Sequence, residues 1–166
     1  SLQPKVPAAQ VERVESATEM FHAARRYFAH VDAAIFAAAV ADYRPAKISL
    51  SKIKKNGDEL IVRLIPNPDI AAEFGRVKTP SQVSIGFALE TDAILENARE
   101  KMRRKGFDFV VANSALEPGS GFGGDTNRIT IIDKTGRAHA YGTKTKDEVA
   151  RDIIEHAFAQ QLEMAI

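Results

Sequence analysis

Residues 33–44 read Ala33-Ala34-Ile35-Phe36-Ala37-Ala38-Ala39-Val40-Ala41-Asp42-Tyr43-Arg44, an unbroken apolar run with an abrupt polar stop. Such a run predicts a buried strand of a parallel sheet over Ala33–Ala41. In open α/β sheets ligands collect just beyond the carboxyl ends of strands, and Asp42 stands at that end. The small side chains of Ala37, Ala38, Ala39 and Ala41 would let the backbone approach a sugar or phosphate closely. The loop that follows carries Lys47, Lys52, Lys54 and Lys55. These are mobile point charges suited to phosphate oxygens; they are also what a solvated surface hairpin carries.

Working outward, the chain alternates strand and helix signals. Residues 1–10 are rich in Pro and Ala and are expected to be irregular, and Val11–Val14 is expected to form a short strand. Ser16-Ala17-Thr18-Glu19 is a capping box opening a helix to Phe28. Lys47–Lys54 and Glu59–Ile65 alternate around Asn56-Gly57 and predict a hairpin. Asn67-Pro68 predicts an N-cap with proline at the first helical position, Asp69 and Glu73 near the positive end of the dipole, and a helix to Val77. Val83–Leu89 is a second buried strand, Thr91–Lys105 a helix closed by Gly106, and Phe107–Ala112 a third strand. Arg128–Asp133 and Ala138–Tyr141 form a hairpin around Thr135-Gly136. Thr145-Lys146-Asp147-Glu148 is a second capping box, starting a helix to Leu162. This order predicts an α/β fold, a Rossmann-like mostly parallel sheet flanked by helices with added β-hairpins, in a single domain over residues 1–166.

Composition narrows the function. The 23 basic residues nearly balance 22 acidic ones, without the excess of a dedicated nucleic-acid binder. The absence of cysteine excludes a disulfide framework, cysteine zinc sites and a thiol nucleophile. No apolar run is long enough for a membrane span and Ser1-Leu2-Gln3-Pro4-Lys5 is no secretory h-region, so a cytoplasmic protein without a membrane partner is expected. The chain lacks an initiator Met, as a processed or cleaved chain or a piece of a longer one would. His22, His30, His139 and His156 have no metal-ligand spacing and are read as surface or helix-face residues. The Gly-rich stretch Gly119–Asn127 lacks a following Gly-Lys-Ser/Thr and precedes a strand, so it satisfies neither the P-loop nor the dinucleotide fingerprint. It is read as a flap or turn-rich edge. Gly-x-Ser-x-Gly does not occur, which removes the usual serine-hydrolase signature.

Three further features carry chemistry, each with an ordinary structural alternative. The turn Asn67-Pro68-Asp69-Ile70-Ala71 opens a helix whose free amides can bind an anion or a base edge, or merely be capped. Lys101 and Lys105 share a helix face and can clamp a polyphosphate or lie in solvent. Phe87, between Gly86 and Ala88, can wall a base or fill the core.

Taken together, Ala38-Ala39-Val40-Ala41-Asp42-Tyr43-Arg44, Lys52-Ile53-Lys54-Lys55, Asn67-Pro68-Asp69-Ile70, Gly86-Phe87-Ala88-Leu89-Glu90-Thr91 and Gly121-Phe122-Gly123-Gly124-Asp125-Thr126-Asn127 resemble bacterial phosphopantothenoylcysteine synthetase, the ligase half of a bifunctional coenzyme A biosynthesis protein. The resemblance implies CTP- and Mg²⁺-dependent joining of 4'-phosphopantothenate to L-cysteine through an acyl-cytidylate, in a homodimer. It implies a CTP site of Ala37, Ala38, Asp42, Lys52, Pro68, Asp69, Ile70, Ala71, Phe87, Lys101 and Lys105, with Ala39 at the phosphopantothenate. Lys52 becomes the catalytic cation of a flap that includes Ile53, Lys54 and Lys55; no metal ligands are implied. The family's opening Gly-Pro-Thr and Asn-x-Ser-Ser-Gly segments do not occur in these residues, so the domain is expected to be N-terminally incomplete. The competing readings are a nucleotide-binding module without ligase activity and an NAD(P)-dependent oxidoreductase, the latter opposed by the missing Gly-x-Gly-x-x-Gly.

Overall fold

The computed structural model describes residues 9–55, 57, 59–90, 94–114 and 125–164. They fall into two compact units, one of Ser1–Ala29 with Ala39–Ile70 and the other of His30–Ala38 with Ala71–Ile166.

The larger unit holds a five-stranded sheet. Its strands, numbered along the chain, are β1 (Ala33–Phe36), β4 (Val83–Glu90), β5 (Phe109–Ser114), β7 (Ile129–Asp133) and β8 (Ala138–Ala140), in the spatial order β1-β4-β5-β7-β8. β1, β4 and β5 are parallel, with Ile35 opposite Ile85 and Ile85 opposite Phe109. The antiparallel hairpin β7–β8 extends the same sheet. The expected Rossmann-like arrangement is therefore present, and one of the added hairpins is part of the main sheet.

Side-chain alternation sorts this sheet into two packed faces. On one, Val83, Ile85, Phe109, Val111, Ile129 and Ile131 pack against Val149, Ile153 and Ala157 of α4 (Lys146–Met164). On the other, Ala88, Val110, Ala112 and Ile132 meet Ala98 and Met102 of α3 (Ile94–Lys105). The second face is set by glycine. A Cβ on Gly86 would lie 2.1 Å from the Phe107 ring, so only glycine lets that ring cross β4 and reach Phe36, 5.5 Å away between centroids. A Cβ on Gly75, in α2 (Ile70–Val77), would lie 1.9 Å from the Lys105 carbonyl oxygen. Gly106 takes φ +68 to end α3, as its position after Lys105 predicts.

Local polar signals fix the ends. Thr145 and Glu148 form a reciprocal capping box, Thr145 N–H donating to Glu148 Oε2 at 2.9 Å and Glu148 N–H to Thr145 Oγ1 at 3.3 Å. In the β7–β8 turn, the buried Asp133 carboxylate accepts from the Thr135 and Arg137 amides and the Thr135 hydroxyl. At the amino ends of β4 and β5, Lys78 Nζ donates to Ser84 Oγ at 2.9 Å and Asp108 Oδ2 at 2.5 Å.

The smaller unit contains α1 (Ala17–Phe28) and a short antiparallel pair, β2 (Tyr43–Pro45) with β3 (Leu64–Pro66). Two further short strands, β6 (Thr126–Asn127) and β9 (Lys144–Thr145), pair in the larger unit. Ser16 Oγ caps α1 by accepting from Glu19 N–H, as predicted, and the Glu19 carboxylate reaches back to accept from the amide of Glu15.

Four expectations are corrected. Ala33–Ala41 is not one buried strand: β1 ends at Phe36, and Ile35 is 46% exposed, because only β4 pairs with it among the described residues. Val11–Val14 forms no strand; that stretch is tied to α1 by polar contacts, Glu12 to Arg26 and Gln10 to Tyr27. The hairpin Lys47–Lys54 with Glu59–Ile65 does not form among the described residues; the ladder ends with Pro45 opposite Leu64, extended only by the Ala46 amide on the Arg63 carbonyl. Asn67 is not the N-cap of α2, because its side chain is committed elsewhere. The reading of Thr91 as a helix start, of Asn56 as a turn residue and of Gly119–Gly124 as a flap falls outside the described residues.

Candidate functional site

Within the larger unit, Ala37 and Ala38 lie exposed just beyond the carboxyl end of β1. Phe87, in the carboxyl half of β4, is half-buried against the apolar face that α4 covers. Its carbonyl accepts a 2.6 Å hydrogen bond from Lys101 Nζ. The structure thus brings Phe87 and Lys101 together, and it resolves the choice between core filler and exposed wall in an intermediate way: the ring packs on the core cluster while keeping part of its surface open. Lys105 lies one turn beyond Lys101 and is half-buried. Ala71 lies in the first turn of α2 and packs against the cluster that contains Phe107.

Asn113 was not singled out by sequence. It is the last residue but one of β5, opposite Leu89 of β4, and its Oδ1 is buried without a hydrogen-bond partner among the described residues. A buried acceptor left unsatisfied is costly unless a ligand or water meets it. The signal was available in Val110-Val111-Ala112-Asn113, an apolar run stopped by a polar residue, the same logic that singled out Asp42.

Within the smaller unit, Ala39 is exposed, and Asp42 is exposed with its carboxylate unpartnered among the described residues. Its main chain is held: the Asn67 amide donates to the Asp42 carbonyl at 2.8 Å, and Asn67 Nδ2 donates to the Ala41 carbonyl at 2.8 Å. Pro68 and Asp69 lead into Ile70, the buried first residue of α2. Lys52, Ile53, Lys54 and Lys55 are all exposed and belong to no helix or strand.

The histidine reading needs revision. His139 on β8 and His156 on α4 stack edge-on with centroids 4.6 Å apart, and both Nε2 atoms are buried and unpartnered. His156 Nδ1 pairs with the Tyr141 hydroxyl at 3.0 Å. Burial and the neighbouring His139 push the His156 pKa down, against a weaker pull from Asp133. No group of three or more His, Cys, Asp or Glu residues suited to a metal occurs among the described residues.

A mixed α/β sheet with small, polar and basic residues at and beyond its strands' carboxyl ends defines a Rossmann-like domain of the ligand-binding kind. More narrowly, the chain belongs to the DNA/pantothenate metabolism flavoprotein C-terminal domain family, whose model it matches over residues 1–160. A protein from an unspecified prokaryote described as cysteine/cysteine sulfinic acid decarboxylase is 48% identical over 154 residues, covering 93% of this chain and 43% of that protein. The coenzyme A biosynthesis bifunctional protein CoaBC of Haemophilus influenzae is 38% identical over 141 residues, covering 85% of this chain and 35% of that protein. Among solved structures, the C-terminal domain of a coenzyme A biosynthesis bifunctional protein CoaBC matches with a TM-score of 0.70 at 37% identity, covering 90% of this chain and 66% of that one. The chain therefore spans less than half the length of these two curated relatives. No helix among the described residues is long and apolar enough to cross a membrane.

Proposed function

We propose that this chain carries the ligase activity that joins 4'-phosphopantothenate to L-cysteine at the expense of CTP, in the cytoplasm, as a step of coenzyme A biosynthesis. The observation that carries this reading is the match, at 37% identity over 90% of the chain, to the C-terminal domain of CoaBC. The residue-level geometry is compatible with it: the Asp42 carboxylate has no partner among the described residues and can accept from nucleoside hydroxyls, and Lys101 is anchored beside Phe87.

In this reading the pantothenate carboxylate attacks the α-phosphorus of CTP, pyrophosphate leaves, and the cysteine amine then displaces CMP from the acyl-cytidylate. The first step brings two anions together, so positioned cations lower its barrier. Lys101 and Lys105 serve the polyphosphate, Lys52 the developing charge, and Ile53 to Lys55 form the segment that shields the acyl-cytidylate from water. Ala37, Ala38 and the turn Pro68-Asp69-Ile70-Ala71 line the cytosine, Ala39 lies at the phosphopantothenate, and Asn113 offers one further acceptor. Mg²⁺ would be held mainly by the nucleotide's own phosphates and would supply positive charge there, which suits an ion that keeps much of its water and needs few protein ligands. The arm between β2 and β3 exposes Ile48, Leu50, Leu60 and Ile61, which supports a homodimer in which a second copy covers them.

The test is pyrophosphate release from CTP with phosphopantothenate and cysteine, in the longer protein that contains this chain. Lys52→Gln is expected to lower turnover by roughly ten- to a thousandfold, the scale of losing one oxyanion-type stabiliser, while the melting temperature stays the same. Unchanged turnover would remove Lys52 from the reaction. The 48% identity to a cysteine decarboxylase favours a second reading, in which the chain is part of a protein releasing CO₂ from cysteine. Carbon dioxide release from cysteine without CTP consumption would select it.

A further inference from the structure

The sequence 41–45 and the turn 66–70 are joined by a polar lock. Arg44 Nη1 donates to the Pro66 carbonyl at 2.6 Å and to Asn67 Oδ1 at 3.1 Å. With its Oδ1 occupied by the guanidinium, the Asn67 amide is oriented so that Nδ2 donates to the Ala41 carbonyl, and its backbone N–H takes the Asp42 carbonyl. The carbonyls of Ala41, Asp42 and Pro66 are thus all tied to one arginine and one asparagine. The side chain of Asp42, between these anchors, takes no part.

The surroundings make the lock decisive. β2 and β3 pair over only three residues each, and most of their side chains are exposed, so apolar packing does little to hold the two segments in register. Charge-assisted hydrogen bonds are about twice as strong as neutral ones, and here they fix the backbone from which both Asp42 and the Asp69–Ile70 amides project.

We infer that Arg44 and Asn67 are positioning residues for nucleoside recognition: they hold the Asp42 carboxylate at a set spacing from the Asp69–Ile70 turn, so that the nucleoside end of the substrate is read while its phosphates are bound independently. This rests on the CTP reading above. Neither side chain has to touch the ligand, and the lock uses the backbone of Asp42 without engaging its carboxylate.

The test compares CTP with inorganic tripolyphosphate, each with Mg²⁺, by titration calorimetry on the wild-type chain, Arg44→Ala, Arg44→Lys and Asn67→Ala. Losing such a lock is expected to weaken CTP roughly tenfold or more and to leave tripolyphosphate affinity unchanged. Arg44→Lys keeps the charge without the planar fork and is expected to recover only part of the loss. If the truncations fail to fold, Asn67→Asp, which removes the Nδ2 donor with little change of shape, carries the same expectation. Equal loss of both ligands would reduce the lock to general structural support and overturn the inference, as would unaltered CTP affinity in the variants. A wild-type chain that binds tripolyphosphate but shows no preference for CTP would overturn the nucleotide reading itself, and the inference with it.

Discussion

The sheet of the larger unit and the β2–β3 arm of the smaller one have similar shares of aliphatic residues and opposite uses for them. Ile85, Val110, Val111 and Ile132 are fully buried, whereas Leu50 is fully exposed and Ile61 nearly so. Along β4, β5 and β7 a packed face lies on either side of the sheet, and alternation decides which one a side chain meets. In the arm, alternation has no core to refer to. The difference teaches that periodicity predicts structure only where something stands ready to cover the apolar face.

Truncating one aliphatic side chain in each region has the largest and most unequal effects. Ile131→Ala is expected to cost about 2–5 kcal/mol of stability by leaving a cavity between the sheet and α4. Leu50→Ala should stay within about 0.5 kcal/mol and instead weaken self-association. Denaturant melts and sedimentation of both variants measure this; similar melting losses would mean that the arm is packed in solution. A smaller effect belongs to the α4 start: Thr145→Ala removes the hydroxyl that caps Glu148 N–H and is expected to cost about 1 kcal/mol, read in the same melts.

Acid acts on the sheet unit through two groups there, His156 and Asp133. Burial lowers the pKa of His156 from its usual 6.5, so the folded state resists the proton that the unfolded state accepts. Stability is complete above 6.5 and falls as the pH drops through that value towards the lowered one. Asp133 adds a second loss at lower pH. Its burial raises the pKa, but the Thr135 hydroxyl, the Arg137 and Thr135 amides and the Arg137 charge outweigh that and hold the carboxyl below its ordinary 3.8. His156→Phe should abolish the upper limb of the stability–pH curve and keep the lower one. An unchanged upper limb would assign it to another group.

Much of the fold was legible because local chemistry and burial agreed. The limits of β4, the glycine stop of α3, the Thr135-Gly136 hairpin and both capping positions follow from residues acting on near neighbours. The failures share a cause. β1 is shorter than its apolar run because its pairing with β4 stops at Phe36, opposite Gly86, although β4 itself runs on to Glu90, and no local pattern marks that departure. Asn67 was read as a cap because the sequence could not reveal the Arg44 guanidinium, 23 positions earlier, competing for its side chain. The candidate site was partly legible: Phe87 stands in the carboxyl half of β4, where strand-end logic puts it, whereas β1 stops at Phe36, well before Asp42, and the Lys101 bond to the Phe87 carbonyl needed the structure. Asn113 obeyed the same rule and was passed over because it carries no charge.

Selectivity for CTP is read most directly from the melting temperature of this chain with CTP, ATP, GTP and UTP at equal concentration, each with Mg²⁺. A site that reads the base gives a clearly larger stabilisation by CTP, since a ligand that binds only the folded state raises its stability in step with its affinity. Equal shifts from all four nucleotides would contradict it, leaving a site that binds phosphate without reading the base.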